Sequence, residues 1–131
     1  MGVIAVLAAA AAGFAMGAVW YMSLAGIWLR ALGIELDENG KPRMEGSFWP
    51  FVVSGITMIL VAGMMRHVFA MAGIDGVGKS LVAGLGIGAF FIAPWVAMNY
   101  AYAMRKPMLT IVDNGYAILG CGVIGLVLGL F

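Results

Sequence analysis

Residues 3–29 read VIAVLAAAAAGFAMGAVWYMSLAGIWL, a run without a single charged side chain. A charge-free run of about 18 or more residues is long enough to cross the roughly 30 Å hydrocarbon core of a bilayer as a helix. The pattern recurs in residues 48–65, 80–104 and 109–131, the last broken only by Asp113. Hydrophobic residues make up 64% of the chain and charged residues 10%, well below the roughly 25% charge of a soluble domain. A soluble core of this size could not hide so much apolar surface, and large exposed patches aggregate. The predicted fold is therefore all-α: one integral-membrane four-helix bundle over residues 1–131, with helices over about 3–29, 48–71, 80–104 and 109–131.

The margins of each segment refine that outline. No Lys or Arg precedes the first run, which is far longer than the apolar region of a signal peptide, so it is read as a retained helix. Its length exceeds the bilayer thickness and predicts a tilt or an extension into the interface. The second segment continues through Val68, Phe69 and Met71 to Gly73, which places Arg66 and His67 on its last turns, snorkelling to the interface. Pro94 predicts a kink in the third segment, because proline removes one backbone hydrogen bond. Lys and Arg set orientation. Arg30, Lys41, Arg43, Arg105 and Lys106 fall on one side, and only Arg66 and Lys79 on the other. That excess puts both polar loops in the cytoplasm and both termini in the periplasm of a bacterial inner membrane.

Glycine pairs mark candidate packing faces. Gly13/Gly17 and Gly84/Gly88 are spaced four apart, and Gly115, Gly122, Gly125 and Gly129 line one face of the fourth segment; small residues let helices approach closely. The matching Ala12-Gly13/Gly17-Ala18 and Ala83-Gly84/Gly88-Ala89 form a weak internal repeat, the pattern of two parallel helical hairpins. Packing within the chain is favoured over packing between subunits.

Polar residues inside the segments are few. Trp95, Asn99, Tyr102 and Lys106 follow helical spacing and form one stripe, read first as interhelical hydrogen bonding with a tyrosine at the interface and second as a polar pocket or pore lining. Asp113 is the only acid within an apolar segment. An ion pair with Arg30, Arg43, Arg105 or Lys106, or a contact with the helix dipole, is its plain reading; proton or cation binding is the sharper one.

Several motifs carry no chemistry here. Residues 73–80 match the G-x4-G-K-S phosphate loop, but that loop works between a strand and a helix, whereas here a membrane helix precedes it; no nucleotide is expected. Met64, His67 and Met71 fall on one face, yet no second His or Cys completes a metal site. Cys121 is the only cysteine, which excludes an intrachain disulfide. With a net charge of +1 and no basic run, nucleic acid is not an expected partner. No nucleophile–base–acid set is present, so neither enzyme activity nor a cofactor is expected.

Two stretches together carry a resemblance. One is Gly17-Ala18-Val19-Trp20-Tyr21 with Trp28 and Gly33. The other runs from Tyr102 through Arg105-Lys106-Pro107 to Ile111-Val112-Asp113-Asn114-Gly115-Tyr116, then Gly125 and an apolar tail. The chain resembles the family of small bacterial membrane proteins known as domain of unknown function seventeen-sixty-one. It has Met22-Ser23-Leu24 where that family often carries Ser-Pro after the Trp-Tyr pair. The resemblance implies four transmembrane helices and no established activity, and it singles out Trp20, Tyr21, Trp28, Asp113, Gly115 and Tyr116. The functional expectation is a structural or interaction protein in contact with the lipid bilayer, as a homo-oligomer or an accessory subunit of a larger membrane complex. The alternative is a small transporter or channel with a polar site around Asn99 and Asp113.

Overall fold

A computed structural model describes residues 2–33 and 48–131. Every regular element in them is helical: α1 (Gly2–Ser23), α2 (Ala25–Leu32), α3 (Trp49–Ala72), α4 (Val77–Ile87), a π-helical turn (Gly88–Ile92), α5 (Ala93–Tyr102) and α6 (Pro107–Gly129). Four spans are long and apolar enough to cross a membrane: α1, α3, the continuous Val77–Tyr102 unit and α6. This is the architecture of a multi-pass membrane protein.

Helix boundaries follow from local chemistry. The over-long first segment breaks at Leu24, and its aromatic end continues as α2, capped by Gly33 in the left-handed region. α3 runs past Arg66 to Ala72, where Gly73 at φ 70° and the Ile74 N–H to Phe69 carbonyl bond close it in a Schellman-type cap. Gly76, at φ 82°, then turns the chain into α4. Residues 73–80 are thus a tight helix–helix turn leading into a helix, and Ser80 is buried. The kink foreseen at Pro94 takes the form of the π turn, in which the Ala93 N–H reaches the Gly88 carbonyl. α6 starts at Pro107, a residue pre-organised for a first helical position.

The spans do not close into a symmetric bundle. α6 lies at the centre. α1 packs on one side of it and α4 with the π turn on the other, while α3 leans mainly on α1. The lateral order is second, first, fourth, third. The second and third spans make no substantial contact with each other although a short turn joins them. Only 11% of the second span's apolar window is buried within the chain, against 39% for α6, so the second span presents most of its surface outward.

The two hairpins of the sequence reading are present, since the first span packs on the second and the third on the fourth. Their glycine pairs do not play equivalent roles, however. Gly84 abuts the Cys121 carbonyl and Gly88 the Ala117 carbonyl, so α4 and α6 meet backbone to backbone. Gly13 lies between Ile124 of α6 and Met58 of α3, and Gly17 faces Tyr116 of α6. Gly122, Gly125 and Gly129 of α6 meet Leu85, Ser80 and Gly76, whereas Gly115 carries the Trp20 ring of α1. All eight glycines sit against another helix of the same chain.

The apolar core gathers at the end of the bundle that holds both described termini. Ala5, Ala9 and Ala10 of α1 bring that helix close to Ala62, Met65 and Phe69 of α3 and to Cys121, Ile124 and Leu128 of α6. The other end is aromatic and polar.

Candidate functional site

Asp113 is the seventh residue of α6, beyond the first helical turn. The helix-dipole reading of this residue therefore fails, because that effect fades within the first turn. Among the described residues neither Arg30, Arg105 nor Lys106 forms an ion pair with Asp113, and Arg43 lies outside those residues. Lys106 Nζ donates to the Arg30 carbonyl at 3.2 Å and Arg105 approaches the Leu32 carbonyl at 3.5 Å. Both cations lie against carbonyls at the C-terminus of α2, where positive charge is favoured.

Two phenols hold the carboxylate instead. Tyr21 Oη donates to Oδ1 at 2.6 Å and Tyr100 Oη to Oδ2 at 2.5 Å. These are the short separations of charge-assisted O–H···O⁻ bonds. Tyr21 lies near the end of α1 and Tyr100 near the end of α5, so one carboxylate joins three helices.

The surrounding residues fix the geometry. Trp20 Nε1 donates to the Val112 carbonyl at 2.8 Å, and its ring lies over Gly115, where a Cβ would stand 2.5 Å from the indole. Tyr116 Oη donates to the Gly13 carbonyl at 2.8 Å and lies 3.4 Å from Met58 Sδ. The Tyr21 ring packs edge-on against Trp28 and Tyr116, with centroids 5.5 and 5.6 Å away. A ring edge against a ring face is a favourable arrangement of aromatic quadrupoles. Trp20, Tyr21, Trp28, Asp113 and Tyr116 thus form one cluster. Among the described residues, Trp28 Nε1 in this cluster and Asn114 Oδ1 beside Asp113 are buried without a hydrogen-bond partner. A buried polar group without a partner costs about 1–3 kcal/mol, so such atoms in a native structure commonly mark a water or other guest.

Asn99 and Tyr102 lie elsewhere. Both are exposed, as is Trp95, so the stripe on the third span faces away from α6. Tyr100, between them, was not among the sequence candidates, and it is the residue that turns inward to Asp113. The available signal was depth: Tyr100 and Asp113 stand at matching distances on either side of the turn at Lys106, so a helical hairpin brings them level. Met64, His67 and Met71 are exposed on the second span. Among the described residues no group of three or more His, Cys, Asp or Glu side chains is placed to hold a metal ion.

The cluster can therefore fasten three helices at one end of the bundle. No curated protein and no solved structure matches the chain. The family model described as "Protein of unknown function (DUF1761)" matches residues 4–129, nearly the full length, and the chain belongs to that family.

Proposed function

We propose that this protein is a structural or interaction component of a bacterial inner membrane, assembling as a homo-oligomer or as an accessory subunit of a larger membrane complex, with its termini in the periplasm. The observation that carries this reading is the outward face of the third span. Asn99 is exposed within a membrane-crossing helix and makes no hydrogen bond to another span among the described residues. An amide has several hydrogen-bonding positions, lipid tails satisfy none of them, and a second helix does. Trp95 and Tyr102, 66% and 84% exposed, flank it with the amphipathic rings enriched at interfaces.

The competing transport reading gains less. Asn99 points outward while Asp113 faces the neighbouring helices, so the two do not line one path. Both oxygens of Asp113 are engaged by phenols, and two clefts lie at the opposite end of the bundle.

The test is the mass of the protein extracted from native membranes in mild detergent. An assembly larger than the 13.7 kDa monomer is expected, and Asn99→Leu should shift it toward the monomer. A wild-type monomer with no stoichiometric partner sinks the proposal. So does an assembly that Asn99→Leu and Trp95→Ala leave unchanged.

A further inference from the structure

At the end opposite the Asp113 cluster, a groove of about 490 Å³ runs between α1 and α3. Its volume lies within the roughly 300–1,000 Å³ of small-molecule sites. Val6 and Leu7 of α1 and Ile59 of α3 make its walls, and Gly63 leaves its floor open: a Cβ there would find only Val6 Cγ1, at 4.0 Å. Arg66 and His67 close its upper end. Seven residues of helix separate Ile59 from Arg66, about 10 Å at 1.5 Å per residue. The groove is thus an apolar channel parallel to the helix axis with basic side chains at one end.

Its position adds to that chemistry. The Arg66 guanidinium lies across Gly2, level with the start of the first span. The basic end is therefore at headgroup depth and the apolar walls run inward. No carboxylate lines this groove. Asp75 lines the neighbouring cleft, which Arg66 also borders. No hydrogen bond or ion pair engages Arg66 or His67 among the described residues. The groove opens sideways, since Val3, Leu7 and Ile59 on its margins are exposed.

We infer that this groove holds one anionic phospholipid of the surrounding bilayer, its phosphate on Arg66 and His67 and an acyl chain along Val6, Ile59 and Gly63. Guanidinium and imidazole N–H groups donate to phosphate oxygens. Basic pockets between membrane helices select anionic headgroups by the same electrostatics. The apolar walls require a chain as well as a phosphate, which is why the occupant is a lipid and not a free anion.

Delipidated protein in mild detergent would be titrated with dioleoyl phosphatidylglycerol and, separately, dioleoyl phosphatidylcholine, and bound lipid counted by native mass spectrometry. One saturable site with a preference for phosphatidylglycerol is expected. Arg66→Gln should weaken that lipid about five-fold, the effect of one basic side chain near an anionic headgroup, and leave phosphatidylcholine unchanged. Gly63→Leu should fill the groove and lower phosphatidylglycerol binding without touching the basic end. Arg66 is exposed, so its substitution spares the fold and carries the test alone if Gly63→Leu does not fold. Equal binding of the two lipids by the wild type overturns the inference, as does a preference that survives Arg66→Gln. Displacement of the lipid by sn-glycerol phosphate alone also overturns it, since the walls would then contribute nothing.

Discussion

Replacing Asp113 with alanine should loosen the bundle by about 2–3 kcal/mol. Interhelical hydrogen bonds in membrane proteins average roughly 0.6 kcal/mol, and charge assistance about doubles that. Asp113 accepts two such bonds, from Tyr21 and Tyr100, which gives about 2.4 kcal/mol before any cost of leaving two phenols unpaired. The measurement is equilibrium unfolding in mixed micelles of mild and denaturing detergent, followed by circular dichroism. A mutant cycle isolates the cluster. Tyr21→Phe and Tyr100→Phe should each cost about 1 kcal/mol. In the double phenylalanine background, Asp113→Ala should cost close to nothing, or even stabilise, because it then removes a carboxylate with no partner. The reasoning is refuted if Asp113→Ala costs under about 0.5 kcal/mol, or costs the same in both backgrounds, since neither fits a carboxylate whose worth lies in those two bonds.

Three other outcomes follow from particular positions. Gly84→Ala puts a methyl into the Cys121 carbonyl and should cost about 1–3 kcal/mol as the helices separate. Gly86→Ala meets nothing within 4 Å and should gain up to about 1 kcal/mol of helix propensity; equal effects at the two sites in the same unfolding assay would contradict the backbone contact. Met104 adopts φ 55° with its side chain 89% exposed, so Met104→Gly should stabilise by about 1 kcal/mol, and a loss would mean that the side chain makes a contact worth more than that strain. In a Cys121→Ser background, Phe131→Cys should react with an impermeant maleimide added to intact spheroplasts and Arg105→Cys only after permeabilisation; the opposite pattern inverts the proposed orientation.

The spans were legible because hydropathy is a property of composition and survives any detail of packing. Gly73 and Pro107 marked their boundaries through φ preferences that hold in any context. The break at Leu24 carried no such mark: no proline sits there, and nearby Gly26 faces open space. Asp113 stood out as an acid in an apolar run, but its partners did not. Charge counting pointed to the nearby cations, whereas Arg105 and Lys106 turn to carbonyls at the end of α2 and the carboxyl group is left to phenols. Helical spacing grouped Trp95, Asn99 and Tyr102 on one exposed face, whereas Lys106, the fourth member of that stripe, lies past the end of α5 at the start of α6. Periodicity alone does not say whether such a face looks in or out, and this one looks out. Tyr100, about 100° further round the helix, was hidden by that choice.

The central place of α6 bears on how the protein is made. Helices enter the membrane in the order of translation, and domains take shape from the N-terminal side during synthesis. Among the described residues the third span packs chiefly on α6, so its Gly84–Gly88 face lacks that partner until the fourth span leaves the ribosome. The first span waits in part, since Gly17 faces Tyr116 of α6 while Gly13 already meets Met58 of the second span. A premature stop shortly after Lys106 would therefore not trim the bundle but remove the piece around which the others assemble, leaving only the contact between the first two spans.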